Sequence, residues 1–259
     1  MTVHSTPMKA DKHIFIKIAG IMFWLILWQL FAMSAGSKIL LASPWDTLVR
    51  LTQLIPEPDF IRTALNSFLR ISAGFFTGLI AGILLGALSV RFKAAQSLIS
   101  PLISVIKSVP VASFIILALF WIKSAELSWF ISFLIVLPII YGSIREGVTA
   151  VDDKLREAAN MYSVSTLRKI RFLYFPAVMP SLSAACTAAC GLAFKSGAAA
   201  EVIGQPDFTI GDMLYRAKIY LETADLFAWT VVIIILSKLL EALVSLLLKL
   251  IYRRTQRIG

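Results

Sequence analysis

The chain has 259 residues, 58% hydrophobic and only 15% charged, with a mean hydropathy of +0.82. That composition is far from a soluble domain, and several apolar runs reach the roughly 20 residues that cross a bilayer as a helix, so a single all-α integral membrane domain is expected. The net charge of +10 admits a nucleic-acid partner in principle, but the basic residues gather in loops between apolar runs, the pattern of loops kept on the cytoplasmic side, and no nucleic acid is expected.

About six spans follow one another along the chain. The first, Ile14–Met33, is preceded by Lys9, Lys12 and Lys17. It is longer than the apolar core of a signal peptide, about 7–15 residues, and reads as an uncleaved anchor. His4 and His13 read as solvated tail residues. The segment "ASPWDTLVRL" then offers Ser43 as a helix cap, Pro44 for the first turn and Asp46 at the positive helix end. Leu48, Leu51 and Leu54 recur at helical spacing, so a short surface helix or a plain turn fits here.

The second span, Asn66–Val90, holds Gly74, Gly78, Gly82 and Gly86 along one helix face. Such a stripe lets another helix approach closely, within the subunit or between subunits. The third span is Ser97–Trp121 and the fourth Leu127–Ile144. The fifth is Ala177–Ala199, where Cys186 and Cys190 share a face as small buried thiols with no zinc or disulfide framework. The sixth is Leu226–Leu250. Fifteen of the 25 Lys and Arg fall on one side of this arrangement and six on the other, which sets both termini and the loop between spans four and five in the cytoplasm. The expected division is a tail over 1–13, one membrane domain over 14–252 and a basic tail over 253–259.

The loop between spans four and five, about 151–176, is a polar island. Asp152 or Asp153 can cap a helix, and Asp152 and Arg156 are four apart. Ala158, Met161 and Tyr162 share a face. Ser165 offers a second cap before "TLRKIRF", and Pro176 halts or kinks the chain. Two short helices joined by a bend at Ser163–Ser165 are expected. They suit either docking into a groove of another protein or lying against anionic lipid.

Enzyme chemistry is not evident. No G-x-x-x-x-G-K-[ST] phosphate loop occurs; "GLAFKS" lacks a Gly before its Lys. No H-E-x-x-H or G-x-S-x-G occurs either. The chain is expected to bind no cofactor or metal and to be no enzyme, which leaves transport or scaffolding. Among the charges inside spans, Lys107 and Lys195, with Pro110 and Glu201 beside them, are candidates to line a pathway for an anion, or the lysines snorkel. Lys238 and Glu241, three apart, are expected to pair. Arg70 is expected near the outer interface.

"EAANMYSVSTLRKIRFLYFPAVMP" resembles the cytoplasmic EAA loop of ATP-binding cassette importer permeases. Glu157, Ala158, Ala159, Ser165 and Pro176 match its pattern, while Ser163 stands for the usual Gly and Phe175 for the usual Leu. "LASPWDTL", "LNSFLRISAGFFTGLIAGILLGALS", "SPLISVIKSVPVASFIILALFW" and "AAAEVIG" resemble, in order, elements of the sulfonate, taurine and nitrate type of permease. The resemblance implies a multi-pass subunit of a prokaryotic inner membrane. It implies a second permease subunit, identical or paralogous, and an ATPase dimer that carries ATP and Mg. It also implies an extracytoplasmic solute-binding protein. Glu157, Ala158, Ala159, Met161, Tyr162, Ser163, Ser165 and Pro176 would then form the ATPase-coupling site. A self-sufficient secondary transporter or channel would need an ion relay or an inverted repeat, and neither is evident; a non-transporting scaffold would need no lysines beside a pathway.

Overall fold

The structure, a computed structural model, describes residues 8–36 and 40–257, with side chains from Phe15 onward to Arg254 except Lys17. His4, Lys38 and the side chains of Lys9, Lys12, His13 and Lys17 lie outside it. Every regular element among the described residues is a helix. They are α1 (Met8–Ser34), α2 (Pro44–Leu54), α3 (Phe60–Arg91), α4 (Lys93–Ser108), α5 (Val111–Ala118) and α6 (Ser124–Thr149). After these come α7 (Asp153–Met161), α8 (Thr166–Lys169), a π-helical turn over Ile170–Tyr174, α9 (Phe175–Gly204), α10 (Ile210–Ile219) and α11 (Thr223–Arg257). The π turn joins α8 to α9, so Thr166–Gly204 is one run of 39 residues.

Four elements are long and apolar enough to cross a membrane: α3, α6, the Thr166–Gly204 run and α11. The third expected span, Ser97–Trp121, is not one helix. It is broken into α4 and α5, bent by 102°. The cause is Pro110. Its ring bars Val109 from the helical region, and Val109 sits at φ −80°, ψ 131°. With that span counted as a bent pair the described residues hold up to five, and the apolar part of α1, Ile18–Ser34, is shorter. The ends also differ from expectation: α1 already starts at Met8, and α11 continues to Arg257, through most of the stretch read as a basic tail.

The core is a three-helix layer of α3, α6 and α9. The glycine stripe of α3 makes its first seam, inside the subunit. A Cβ on Gly74 would lie 2.7 Å from Ser132 Cβ, one on Gly78 2.9 Å from Val136 Cβ, one on Gly82 2.8 Å from Ile140 Cβ and one on Gly86 2.9 Å from Ile144 Cβ. Both series advance by four, so α3 and α6 run parallel with one contact per turn. Lipid tails are as apolar as Ile140, so what this seam gains is close packing rather than escape from water.

On its other side α6 meets α9 in the antiparallel sense. A Cβ on Gly147 would lie 2.7 Å from Val178 Cα, while one on Gly204 would lie 2.8 Å from Leu127 Cδ2. Ser132 donates its hydroxyl to the Ala193 carbonyl at 3.2 Å. Cys186 and Cys190 are wholly buried in this layer as free thiols, beside Phe75, Val136, Phe194 and Leu240. The geometry gives the bundle two ends. One carries α7 and α8; the other carries the start of α3 and α6, the end of α9, and the short helices α2 and α10.

At that second end α2 forms where the sequence places it. Ser43 is the N-cap and accepts the Asp46 amide at 3.1 Å, and Pro44 opens the helix. Leu54 is buried with Ile210, Ala228, Trp229 and Val232, whereas Leu48 stays exposed. The apolar spacing thus anchors α2 to the bundle by its later turns. Helix α1 is tied to the same end by Trp28, whose indole N–H donates to the Ala42 carbonyl at 3.1 Å.

Candidate functional site

The polar island folds as two short helices with a bend. Asp152 caps α7 by accepting the Lys154 amide at 2.9 Å. Arg156 pairs with Asp153, not with Asp152. Ser165 sits at the N-cap position of α8, but only its carbonyl engages the helix, accepting the Lys169 amide at 3.0 Å. Lys169 Nζ then donates to Asn160 Oδ1 at 2.7 Å and straps α8 to the end of α7.

The bend itself turns on Ser163. Its φ is +49°, the left-handed region that glycine enters without strain. Ser163 N–H donates to the Asn160 carbonyl and Val164 N–H to the Ala159 carbonyl, both at 3.0 Å. This is the paired-bond helix ending that a left-handed residue makes possible. Ser163 therefore occupies a glycine conformation with a side chain attached, at a cost of about 1 kcal/mol.

No residue of α7 or α8 is buried. Met161 and Tyr162 are 83% and 84% exposed and Leu167 is 80% exposed; these apolar side chains stand on a charged element at one end of the bundle. Glu157 is exposed beside them, and Ala158 and Ala159 are half-buried. Pro176 lies in the first turn of α9. Its ring takes away an amide and crowds the carbonyl four residues back, and just upstream the chain widens into the π turn, closed by Phe175 N–H on the Ile170 carbonyl. The eight island residues are thus gathered along one continuous path from α7 into α9.

The four candidates near the bundle interior are not gathered in this way. Lys107 ends α4 beside the break, with Pro110 two residues past the helix end, and its Nζ lies 3.8 Å from where a Gly142 Cβ would be. Lys107 and Lys195 are both exposed on the isolated subunit. Glu201 is wholly buried within the helix bundle. Its Oε2 accepts the Ser67 hydroxyl of α3 at 2.7 Å and the Gly211 amide of α10 at 3.3 Å. Arg70 is half-buried, with Nη1 inside the subunit. The Lys238–Glu241 pair forms as expected, at 2.7 Å.

Two features were not foreseen. Helix α10 had a readable signal in Thr209 followed three residues later by Asp212, a capping pattern; the Asp212 amide donates to Thr209 Oγ1 at 3.3 Å. The second is a paired contact between Arg50 of α2 and Asp225 of α11. Arg50 Nη2 donates to Asp225 Oδ2 at 2.9 Å while Nε engages Oδ1, and Glu57 lies 3.4 Å away. The Asp225 carboxylate raises the Arg50 guanidinium above its ordinary value. The pair forms one wall of a cavity of about 510 Å³, shared with Asp46, Gln53 and Glu222. No local pattern announces it, because the partners are 175 residues apart. Among the described residues no group of three or more His, Cys, Asp and Glu could hold a metal ion.

Comparison with known proteins gives this arrangement a family. SsuC of Bacillus subtilis (strain 168), named as an aliphatic sulfonates transport permease protein, is 24% identical over 225 residues, covering 85% of this chain and 80% of that protein. The bicarbonate transport system permease protein CmpB of Synechococcus elongatus is 23% identical, covering 93% of this chain and 90% of CmpB. The nitrate import permease protein NrtB of Synechocystis is 25% identical, covering 69% and 68%. The fold is similar to that in a crystal structure of a bacterial ABC transporter that imports alginate, with a TM-score of 0.57, 15% identity and 97% coverage of both chains. Residues 78–257, which include the whole island and all of α9 to α11, match the family described as the inner membrane component of binding-protein-dependent transport systems. The chain belongs to that family: it is a multi-pass membrane permease of the ATP-binding cassette importer type, a transport subunit and not an enzyme.

Proposed function

We propose that this chain, with a second identical or paralogous subunit, forms the translocation pathway of an ATP-driven importer, and that α7 is the helix through which a separate ATPase dimer drives it. ATP and Mg belong to that partner, and an extracytoplasmic binding protein delivers the solute. The observation that carries this reading is the form of the island. It is a charged helix with no buried residue, it presents Met161, Tyr162 and Leu167 to the outside, and it leads into a helical run of 39 residues that spans the bundle. An element of this kind suits a groove in another protein. Its seating there would put Glu157 against a basic group of the ATPase, with Ala158 and Ala159 allowing close approach.

In this reading the island and both termini face the cytoplasm, and α2 and α10 face outward. The excess of Lys and Arg on the island side supports that orientation. The solute is a small anion. The named substrates of SsuC, CmpB and NrtB are sulfonates, bicarbonate and nitrate, and Lys107 and Lys195 are cations on exposed faces of the subunit. Lys107, Pro110 and Lys195 are therefore the pathway candidates, with Glu201 buried near the end of α9. The test is purification from the native membrane in mild detergent. An ATPase should co-purify, and reconstituted uptake of a small anion should stop with vanadate. A chain that purifies without an ATPase and transports unaided would overturn the proposal.

A further inference from the structure

The far end of α9 holds a buried polar knot. Glu201 Oε2 accepts from Ser67 of α3 at 2.7 Å and from the Gly211 amide of α10 at 3.3 Å. Ser67 Oγ in turn accepts the Ile210 amide at 2.9 Å, so one hydroxyl and one carboxylate together tie three helices. Gly211 has to be glycine for this to exist, since a Cβ there would fall 2.2 Å from Glu201 Cβ.

The loop between α9 and α10 is held by the same helix. Asn66 Nδ2 donates to the Phe208 carbonyl at 3.1 Å, and the Arg62 guanidinium lies 3.8 Å over the Phe208 ring. Gln205 and Phe208 both have positive φ, +47° and +54°. Left-handed backbone at such residues persists only where its surroundings hold it. Here Arg62 and Asn66, on the first turns of α3, hold Phe208, and the Gln205 amide donates to the Glu201 carbonyl at 2.8 Å.

The position of the knot gives it a role. It lies at one end of the Thr166–Gly204 run, and the polar island lies at the other end of that run. A helix transmits displacement along its axis, and its far end moves a neighbour only if the two are joined. We propose that Glu201 is a positioning residue of the transport cycle: by tying the end of α9 to Ser67 and to the start of α10, it makes the segment 205–222 follow movements that enter at α7. This rests on the transport reading above and adds the point at which motion leaves α9. The hydrogen bonds, not the charge, are what the role needs. Glutamine keeps an oxygen that can accept from both Ser67 and Gly211, and its amide can donate to the hydroxyl of buried Ser128, which lies beside the Glu201 carboxylate.

The test uses the full complex with its ATPase and binding protein in proteoliposomes, reading ATP hydrolysed per solute imported. Glu201→Ala should assemble and hydrolyse ATP, yet import about tenfold less per ATP, the scale expected when a buried hydrogen-bonded pair loses one partner. Ser67→Ala, a smaller change, should shift the ratio in the same direction. Glu201→Gln should stay within about threefold of the parent, since its acceptor remains. An unchanged ratio in both alanine variants would overturn the inference, as would a glutamine variant as uncoupled as the alanine one. A parent complex that shows no ATP-driven uptake would instead sink the transport reading and this inference with it. A parent that transports, with alanine variants that stay coupled, would sink this inference alone.

Discussion

Gly82 of α3 and Ile140 of α6 meet so closely that a Cβ on Gly82 would stand 2.8 Å from Ile140 Cβ and 3.0 Å from the Leu137 carbonyl. Neither obstacle is the free end of a flexible side chain, so a larger residue has to push the helices apart. Gly82→Leu should destabilise the subunit by about 1–3 kcal/mol, the usual cost of overpacking. Gly191 lies in the middle of α9 with nothing within 4 Å of its would-be Cβ. Gly191→Ala should therefore stabilise by about 0.5–1 kcal/mol through helix propensity alone. Thermal unfolding in detergent should show the two shifts with opposite signs. Equal and opposite behaviour to this, a stabilised Gly82→Leu above all, would remove the seam from the account.

Ser163 permits a prediction of gain. At φ +49° a glycine should relieve about 0.5–1 kcal/mol of strain, while Ser163→Val, branched at Cβ, should cost about 1–2 kcal/mol. The effect should be local. Amide hydrogen exchange at Ser163 and Val164, whose N–H groups close the end of α7, should slow in the glycine variant and quicken in the valine variant. Exchange that ignores both changes would mean that the bend is held by something other than this backbone geometry.

The Arg50–Asp225 contact joins α2 to the start of α11. Both side chains are partly shielded, at 30% and 15% exposure, and the geometry is two-pronged, so the pair should be worth more than an open surface pair, about 1 kcal/mol. A double-mutant cycle of Arg50→Ala and Asp225→Ala, measured by thermal unfolding, should return a coupling of that size that weakens in high salt. A coupling near zero would leave α2 held by Leu54 and its apolar neighbours alone.

The sequence made the membrane class and most of the spanning helices readable because long apolar runs carry one dominant signal. The cap of α2 at Ser43, the start of α7 at Asp152 and the glycine stripe were legible for a similar reason, since each is a local pattern with a local physical cause. The break at Pro110 was readable in principle, yet an apolar run on both sides masked it. Which helix the glycine stripe faces was not legible, because period four fixes a face and not a partner. The knot around Glu201 and the Arg50–Asp225 pair are tertiary. Ser67 and Glu201 are 134 residues apart, and only folding shows that a carboxylate in an apolar run answers a serine and a backbone amide.

The central claim is that motion enters this permease through α7, and Glu157 tests it most directly. Its side chain is exposed, so Glu157→Lys removes no packing inside the subunit and should leave membrane insertion and thermal stability within about 0.5 kcal/mol of the parent. Reversing the charge should repel the basic group proposed on the ATPase and abolish binding-protein-dependent uptake in vesicles. The account predicts full-length Glu157→Lys protein in the membrane with no uptake; uptake at the parent's rate would contradict it.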